Sequence, residues 1–212
     1  MGKLILVRHG RTSLNRPGKQ ERLRAWLDVP LSEEGLEEAE VCAQVVQRYT
    51  VETIFSSCLQ RALQTAEAVG RQTRAPIVPA KSLRPWNLGV FAGQKVFELL
   101  PFLNLLNMQP KVVAPGGESF FQFYERYAAY LGKLLVLAEQ STQSIVAVTH
   151  VRNILATPTI LKGSDPHQIP VSGGPPTGSI VVLEKEGDRW NLQLDAGTAS
   201  DTPIAAPMEL AS

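Results

Sequence analysis

An arginine and a histidine stand side by side where an apolar run ends, in Leu4-Ile-Leu-Val-Arg-His-Gly10. A second arginine, Arg61, follows the run Thr53-Ile-Phe-Ser-Ser57, and a second histidine, His150, ends the run Ser144-Ile-Val-Ala-Val-Thr149. A guanidinium presents parallel N–H donors that match phosphoryl oxygens, and a neutral imidazole is a competent nucleophile or base. Two of each around one anion would make a phosphoryl-transfer site, with the cations holding the charge on the equatorial oxygens. The third histidine, His167, lies in a Pro-flanked segment and reads as surface. None of the three has a His-x-x-x-His or Cys-x-x-Cys partner, so the spacing supplies no metal-ligand set.

Bringing these side chains together places demands on the fold. Leu4 to Val7 shows little polar alternation, as a parallel strand covered on both faces should. Ligands of open α/β sheets bind beyond the C-terminal strand ends, so Arg8, His9, Arg61 and His150 meet if the three runs are parallel neighbours. Arg61 falls in the first turn of a helix expected from Leu59 to about Gln72, where the helix dipole disfavours a cation unless an anion sits between them. Ser32 is a natural N-cap for a helix reaching about Tyr49, and further helices are expected over Phe97–Leu106, Glu118–Glu139 and Arg152–Leu161. Pro79 marks Ile77–Ala80 as an edge strand. Ile180–Leu183 and Trp190–Leu194, flanking Glu186-Gly-Asp188, read as a terminal strand pair. The expected class is α/β: a three-layer sandwich with a mostly parallel central sheet covered by helices on both faces.

The chain has 212 residues and a formal net charge of +1. Its length suits a single domain over residues 1–195, and the small, Pro-containing stretch 196–212 reads as a disordered tail. So balanced a charge lacks the basic field that nucleic acid or anionic membranes call for, and no apolar run approaches the roughly 18 residues of a membrane span. Two cysteines, Cys42 and Cys58, form no disulfide framework, and the expected location is the cytoplasm. The charges of Arg16 to Arg24 form either a solvated face or a rim that attracts an acidic substrate.

Over Lys3 to Glu184 the chain resembles the histidine phosphatase superfamily, also called phosphoglycerate mutase-like. The matching stretches are Leu6-Val-Arg-His-Gly-Arg-Thr-Ser-Leu-Asn15, Asp28-Val-Pro-Leu-Ser-Glu-Glu-Gly35, Ser56-Ser-Cys-Leu-Gln-Arg-Ala-Leu-Gln-Thr-Ala66, Gly116-Gly-Glu-Ser119 and Val148-Thr-His150. The resemblance implies that His9 is the nucleophile, phosphorylated during turnover. It further implies that Arg8, Arg61 and His150 hold the phosphoryl group, that Asn15 and Thr12 line the pocket, and that no metal or other cofactor takes part. The partner is then a small phosphorylated substrate; oligomeric state is not legible.

One position departs from the family pattern. Many members carry a glutamate four residues before a glycine in the loop after the third strand, as the acid that protonates the leaving oxygen. Aligned on Leu88-Gly89, this chain has Pro85 there. The candidate carboxylates are Glu118, Glu98 and Asp28, of which Glu118, following Gly116-Gly117, is the candidate acid. Three functions compete: a phosphomonoester hydrolase, a phosphoglycerate mutase-type transferase, and a phosphate-binding module weakened by the loss of its acid. The short Gly93 to Pro115 segment favours hydrolysis, because a mutase of this family carries a longer insertion there.

Overall fold

The computed structural model describes residues 1–16 and 18–195; the tail expected over 196–212 lies outside them. Six strands form one sheet: β1 (Leu4–Arg8), β2 (Val51–Ser57), β3 (Ile77–Ala80), β4 (Ser144–Thr149), β5 (Ile180–Glu186) and β6 (Arg189–Asp195). Their order is β3-β2-β4-β1-β5-β6. The pairs β1–β4, β2–β4 and β2–β3 are parallel, whereas β5 runs antiparallel to β1 and to β6. β3 is an edge strand, where the missing N–H of Pro79 breaks no inner ladder.

Alternation along β1 builds two cores. Leu4 and Leu6 face Phe120, Phe123 and Tyr127 of α4 (Phe120–Gln140), with α3 (Val96–Met108) and α5 (Val151–Lys162) on the same side. Ile5 and Val7 face Ala39, Cys42 and Val46 of α1 (Glu33–Val46) and Ala62, Ala66 and Val69 of α2 (Gln60–Thr73). Leu4 through Val7 are each 0% exposed. An unbroken apolar run is therefore the sequence form of a strand buried on both faces. The architecture is the expected α/β sandwich, and Phe120, Phe123 and Tyr127 of α4 belong to its core. None of the helices among the described residues is long and apolar enough to cross a membrane.

The local signals locate the helix starts. Ser32 accepts from Gly35 N–H and caps α1. Ser119 and Gln122 form a capping box at the start of α4, so that helix begins at Phe120, after the expected Glu118. α2 starts differently: Leu59 offers no capping side chain, and Asp28 reaches over to accept from Gln60 N–H at 2.7 Å. Gly10 packs against the first turn of α1 so closely that a Cβ on it would stand 2.3 Å from Gly35 O. The glycine after Arg8-His9 thus lets α1 approach the end of β1, which fixes where these two side chains point.

Candidate active site

The parallel neighbours β1, β4 and β2 end together, and Arg8 with residues just beyond these strand ends walls a cavity of 330 Å³. Arg8, His9, Arg61 and His150 all line it. Each is at most 8% exposed. The two imidazoles stand edge to face with ring centroids 4.9 Å apart.

His9 is oriented by its own loop. Its Nδ1 lies 2.7 Å from Gly10 O. A carbonyl oxygen only accepts, so Nδ1 carries the proton and, in the neutral ring, Nε2 keeps its lone pair. Burial, then the charges of Arg61 and Arg8, hold the His9 pKa well below the usual histidine value, which keeps that lone pair free at neutral pH. His150 is depressed likewise, by burial first and then by Arg61 and His9. Its Nε2 is 2.8 Å from Ser57 Oγ, while its Nδ1 is buried without a hydrogen-bond partner among the described residues.

The arginines are anchored from behind. Arg61 donates to Leu27 O at 2.7 Å and Ala25 O at 2.9 Å, and Arg8 donates to Pro175 O. Ala25 holds a positive φ of 38°, a left-handed conformation rare for a residue with a side chain, and it presents its carbonyl to Arg61. The Nε atoms of Arg8 and Arg61 remain buried and unpartnered among the described residues. Burial, with Arg24 adding repulsion, lowers the pKa of Arg8 to about 10 and that of Arg61 to about 9. Desolvated like charges with unused donors are complementary to a compact anion with several oxygens.

This geometry has known counterparts. The chain's sequence profile matches the histidine phosphatase superfamily, branch 1, over residues 4–196. The chain belongs to that superfamily. Glucosyl-3-phosphoglycerate phosphatase of Mycolicibacterium vanbaalenii is 31% identical over 212 residues, covering 91% of this chain and 93% of the relative. A probable phosphoglycerate mutase of Proteus mirabilis is 30% identical over 152 residues, 69% of each protein. A solved structure of the mycobacterial glucosyl-3-phosphoglycerate phosphatase complexed with VO3 superposes with a TM-score of 0.76 at 25% identity, covering 94% of this chain and 100% of that one. The expected class, a phosphoric monoester hydrolase of the histidine phosphatase kind, agrees with these relatives.

Within this histidine phosphatase, three expected residues stand off the cavity wall. The Glu118 carboxylate accepts from Arg126 at 2.6 Å and from Asn87 N–H at 2.9 Å, which commits it to bracing the 81–87 loop against α4. Glu118 does not line the cavity, so this geometry lends the acid role expected for it no support. Asn15 Oδ1 accepts from Thr12 N–H at 3.0 Å and from its hydroxyl at 2.9 Å, closing the turn after β1, and neither residue lines the cavity. Glu98 pairs with Lys95, and Asp28 is the cap on α2. Pro85 does line the cavity. Among the described residues no group of His, Cys, Asp and Glu side chains is placed to hold a metal ion.

Two charged cavity residues, Glu21 and Arg24, come from the charged Arg16–Arg24 segment. Arg24 lines the wall with its side chain 11% exposed, and its pair at 3.0 Å with Glu21 places the latter as the carboxylate among the lining side chains. Their signal was the alternation of charge with Leu23, a residue that also faces inward. A rim that attracts an acidic substrate is the reading this placement supports.

Proposed function

We propose that the protein hydrolyses phosphomonoesters in two displacements at phosphorus through a phosphohistidine on His9. What carries this reading is the Nδ1–Gly10 O contact, which commits the Nε2 lone pair of a buried, neutral imidazole to the cavity. In the first step Nε2 forms a bond to phosphorus as the ester P–O bond breaks. The guanidiniums of Arg8, Arg61 and Arg24 hold the non-bridging oxygens. His150 adds its Nδ1–H, with Nε2 accepting from the Ser57 hydroxyl.

The leaving oxygen faces Pro85, which has no proton to give. A phenolate departs readily; an alkoxide waits on water. In the second step a water attacks phosphorus, the P–N bond breaks, and the water's proton passes to a base. Glu21, paired with Arg24, is the carboxylate on the wall and the base this reading assigns. The proton then returns through solvent to the released oxygen.

Hydrolysis is preferred to return transfer because α3 and the segment to Pro115 are compact, leaving the cavity open to water. The test is to incubate the protein with a labelled aryl phosphate, quench in alkali, and look for a phosphoryl group that is acid-labile and absent from His9→Ala. A turnover that persists in His9→Ala, or a phosphoryl group stable to acid, overturns the reading. Stimulation of 2- to 3-phosphoglycerate conversion by bisphosphoglycerate would establish mutase chemistry instead.

A further inference from the structure

Thr65 lies on α2 one turn after Arg61 and is fully buried. Its hydroxyl makes two contacts: Oγ1 donates to Arg61 O at 2.8 Å and accepts from Gly10 N–H at 3.1 Å. A carbonyl oxygen only accepts, so the hydroxyl proton goes to Arg61 O and a lone pair is left for Gly10. Bonding back to the carbonyl four residues earlier is the ordinary way for a helical threonine to satisfy its proton. The bond from Gly10 has no such local origin, since it joins residues 55 apart in the chain.

Gly10 is the residue whose carbonyl oxygen lies 2.7 Å from His9 Nδ1. A glycine turns about its φ and ψ more freely than any other residue, so its carbonyl points steadily only if the peptides on either side are held. Thr65 holds the preceding peptide by its N–H. The following peptide, which carries the Gly10 carbonyl, is held through Arg11 N–H, which donates to the Glu38 carboxylate of α1 at 2.7 Å. Glu38 is within reach of water, whereas the Thr65 bond is buried and has no solvent competitor.

We propose that Thr65 is a positioning residue for the nucleophile: by fixing the Gly10 N–H it steadies the carbonyl that holds the Nδ1 proton of His9, and so keeps the lone pair on Nε2. The inference rests on the phosphohistidine reading above and adds to it a residue that lies off the cavity wall. The same hydroxyl ties the helix that carries Arg61 to the loop that carries His9, so cation and nucleophile keep one mutual geometry. Without it the Gly10 carbonyl is free to swing and the ring proton to settle on Nε2. That tautomer has no lone pair on the attacking nitrogen.

The experiment compares Thr65→Val, nearly the same shape without the hydroxyl, with Thr65→Ser, which keeps it. Rapid quench with an aryl phosphate is expected to show phosphohistidine forming roughly 10- to 100-fold more slowly in Thr65→Val, the worth of one buried hydrogen bond, and within about threefold of the unaltered rate in Thr65→Ser. Inorganic phosphate should bind all three proteins with Kd values within about twofold, because Arg8 and Arg61 are anchored by the carbonyls of Pro175, Leu27 and Ala25. Nitrogen-15 NMR of histidine-labelled protein gives the signature that a merely structural role would not move: an Nδ1–H ring for His9 in the unaltered chain and in Thr65→Ser, and a share of Nε2–H in Thr65→Val. Circular dichroism verifies folding, and if Thr65→Val does not fold, Thr65→Cys, with its weakly accepting thiol, carries the same comparison. A labelling rate or a tautomer that is unchanged on loss of the hydroxyl, or phosphate binding weakened as much as the rate, overturns the role of Thr65 and leaves the phosphohistidine reading intact. If the unaltered protein forms no phosphohistidine, or turnover persists in His9→Ala, both readings fail.

Discussion

His150 Nε2 lies 2.8 Å from the hydroxyl of Ser57, which links the end of β4 to the end of the neighbouring β2. The contact sets the ring of the second imidazole and leaves Nδ1 as its unpartnered nitrogen among the described residues. Ser57→Ala should therefore free that ring. A several-fold to roughly tenfold fall in kcat is expected, corresponding to one hydrogen bond, with KM for an aryl phosphate changed less. Steady-state kinetics decide it; an unchanged kcat would show that Ser57 does not position His150.

Loss of the proposed nucleophile is a larger matter. His9→Ala should lower kcat by roughly 10³-fold or more, while inorganic phosphate still binds through the arginines. Rapid-quench labelling and a phosphate titration together report the two effects.

The missing acid at Pro85 predicts a dependence on the leaving group. Aryl phosphates should turn over faster than alkyl phosphates by a factor on the order of 10²–10⁴, the usual worth of general acid assistance. Pro85→Glu should narrow that gap. A flat response to leaving-group pKa would mean that another acid is at work.

Glu21→Gln should slow the second displacement more than the first. With a good leaving group the phosphohistidine then accumulates, and a burst of phenolate precedes a reduced steady rate. Stopped-flow absorbance would reveal the burst, and a slowed burst with no accumulated phosphoenzyme would contradict the assignment.

The buried imidazoles make stability depend on pH. Both native pKa values lie below the unfolded value near 6.5, with burial the leading cause. Between those limits the unfolded chain binds protons that the native chain refuses, so stability is full above about pH 6.5 and declines as the pH falls toward the native values. Saturating phosphate should stabilise the fold, by about 2.7 kcal/mol at 100 times its Kd. Thermal unfolding between pH 5 and 8, with and without phosphate, measures both effects. A midpoint that rises on acidification would refute the assignment.

Glu118→Gln provides the contrast. Its charge braces Arg126, so the pH–rate profile should keep its shape while stability falls by about 1–3 kcal/mol, the worth of hydrogen bonds to a charged group in a partly buried setting. A lost profile limb would return Glu118 to the chemistry.

Much of this molecule was legible in one dimension because the relevant physics is local. The apolar run of β1, the proline that confines β3 to an edge and the capping serine at residue 32 each act within a few residues of themselves. Strand polarity then placed Arg8, His9, Arg61 and His150 at one end of the sheet, since parallel strands share a C-terminal edge. What the sequence could not rank was the carboxylates. Glu118 stands beside two glycines at a helix start and yet turns to Arg126, whereas Glu21 sits in a charged segment and yet reaches the wall, because each choice depends on a partner distant along the chain or on a loop's path. Arg152 carried the same signal as Arg61, a cation in a helix's first turn, but only tertiary packing shows that it is buried against aromatic rings on the same cavity. Sequence determined which groups could serve a phosphoryl transfer; the fold decided which are close enough, dry enough and unpaired enough to do so, since desolvation and hydrogen-bond satisfaction belong to surroundings assembled from remote segments.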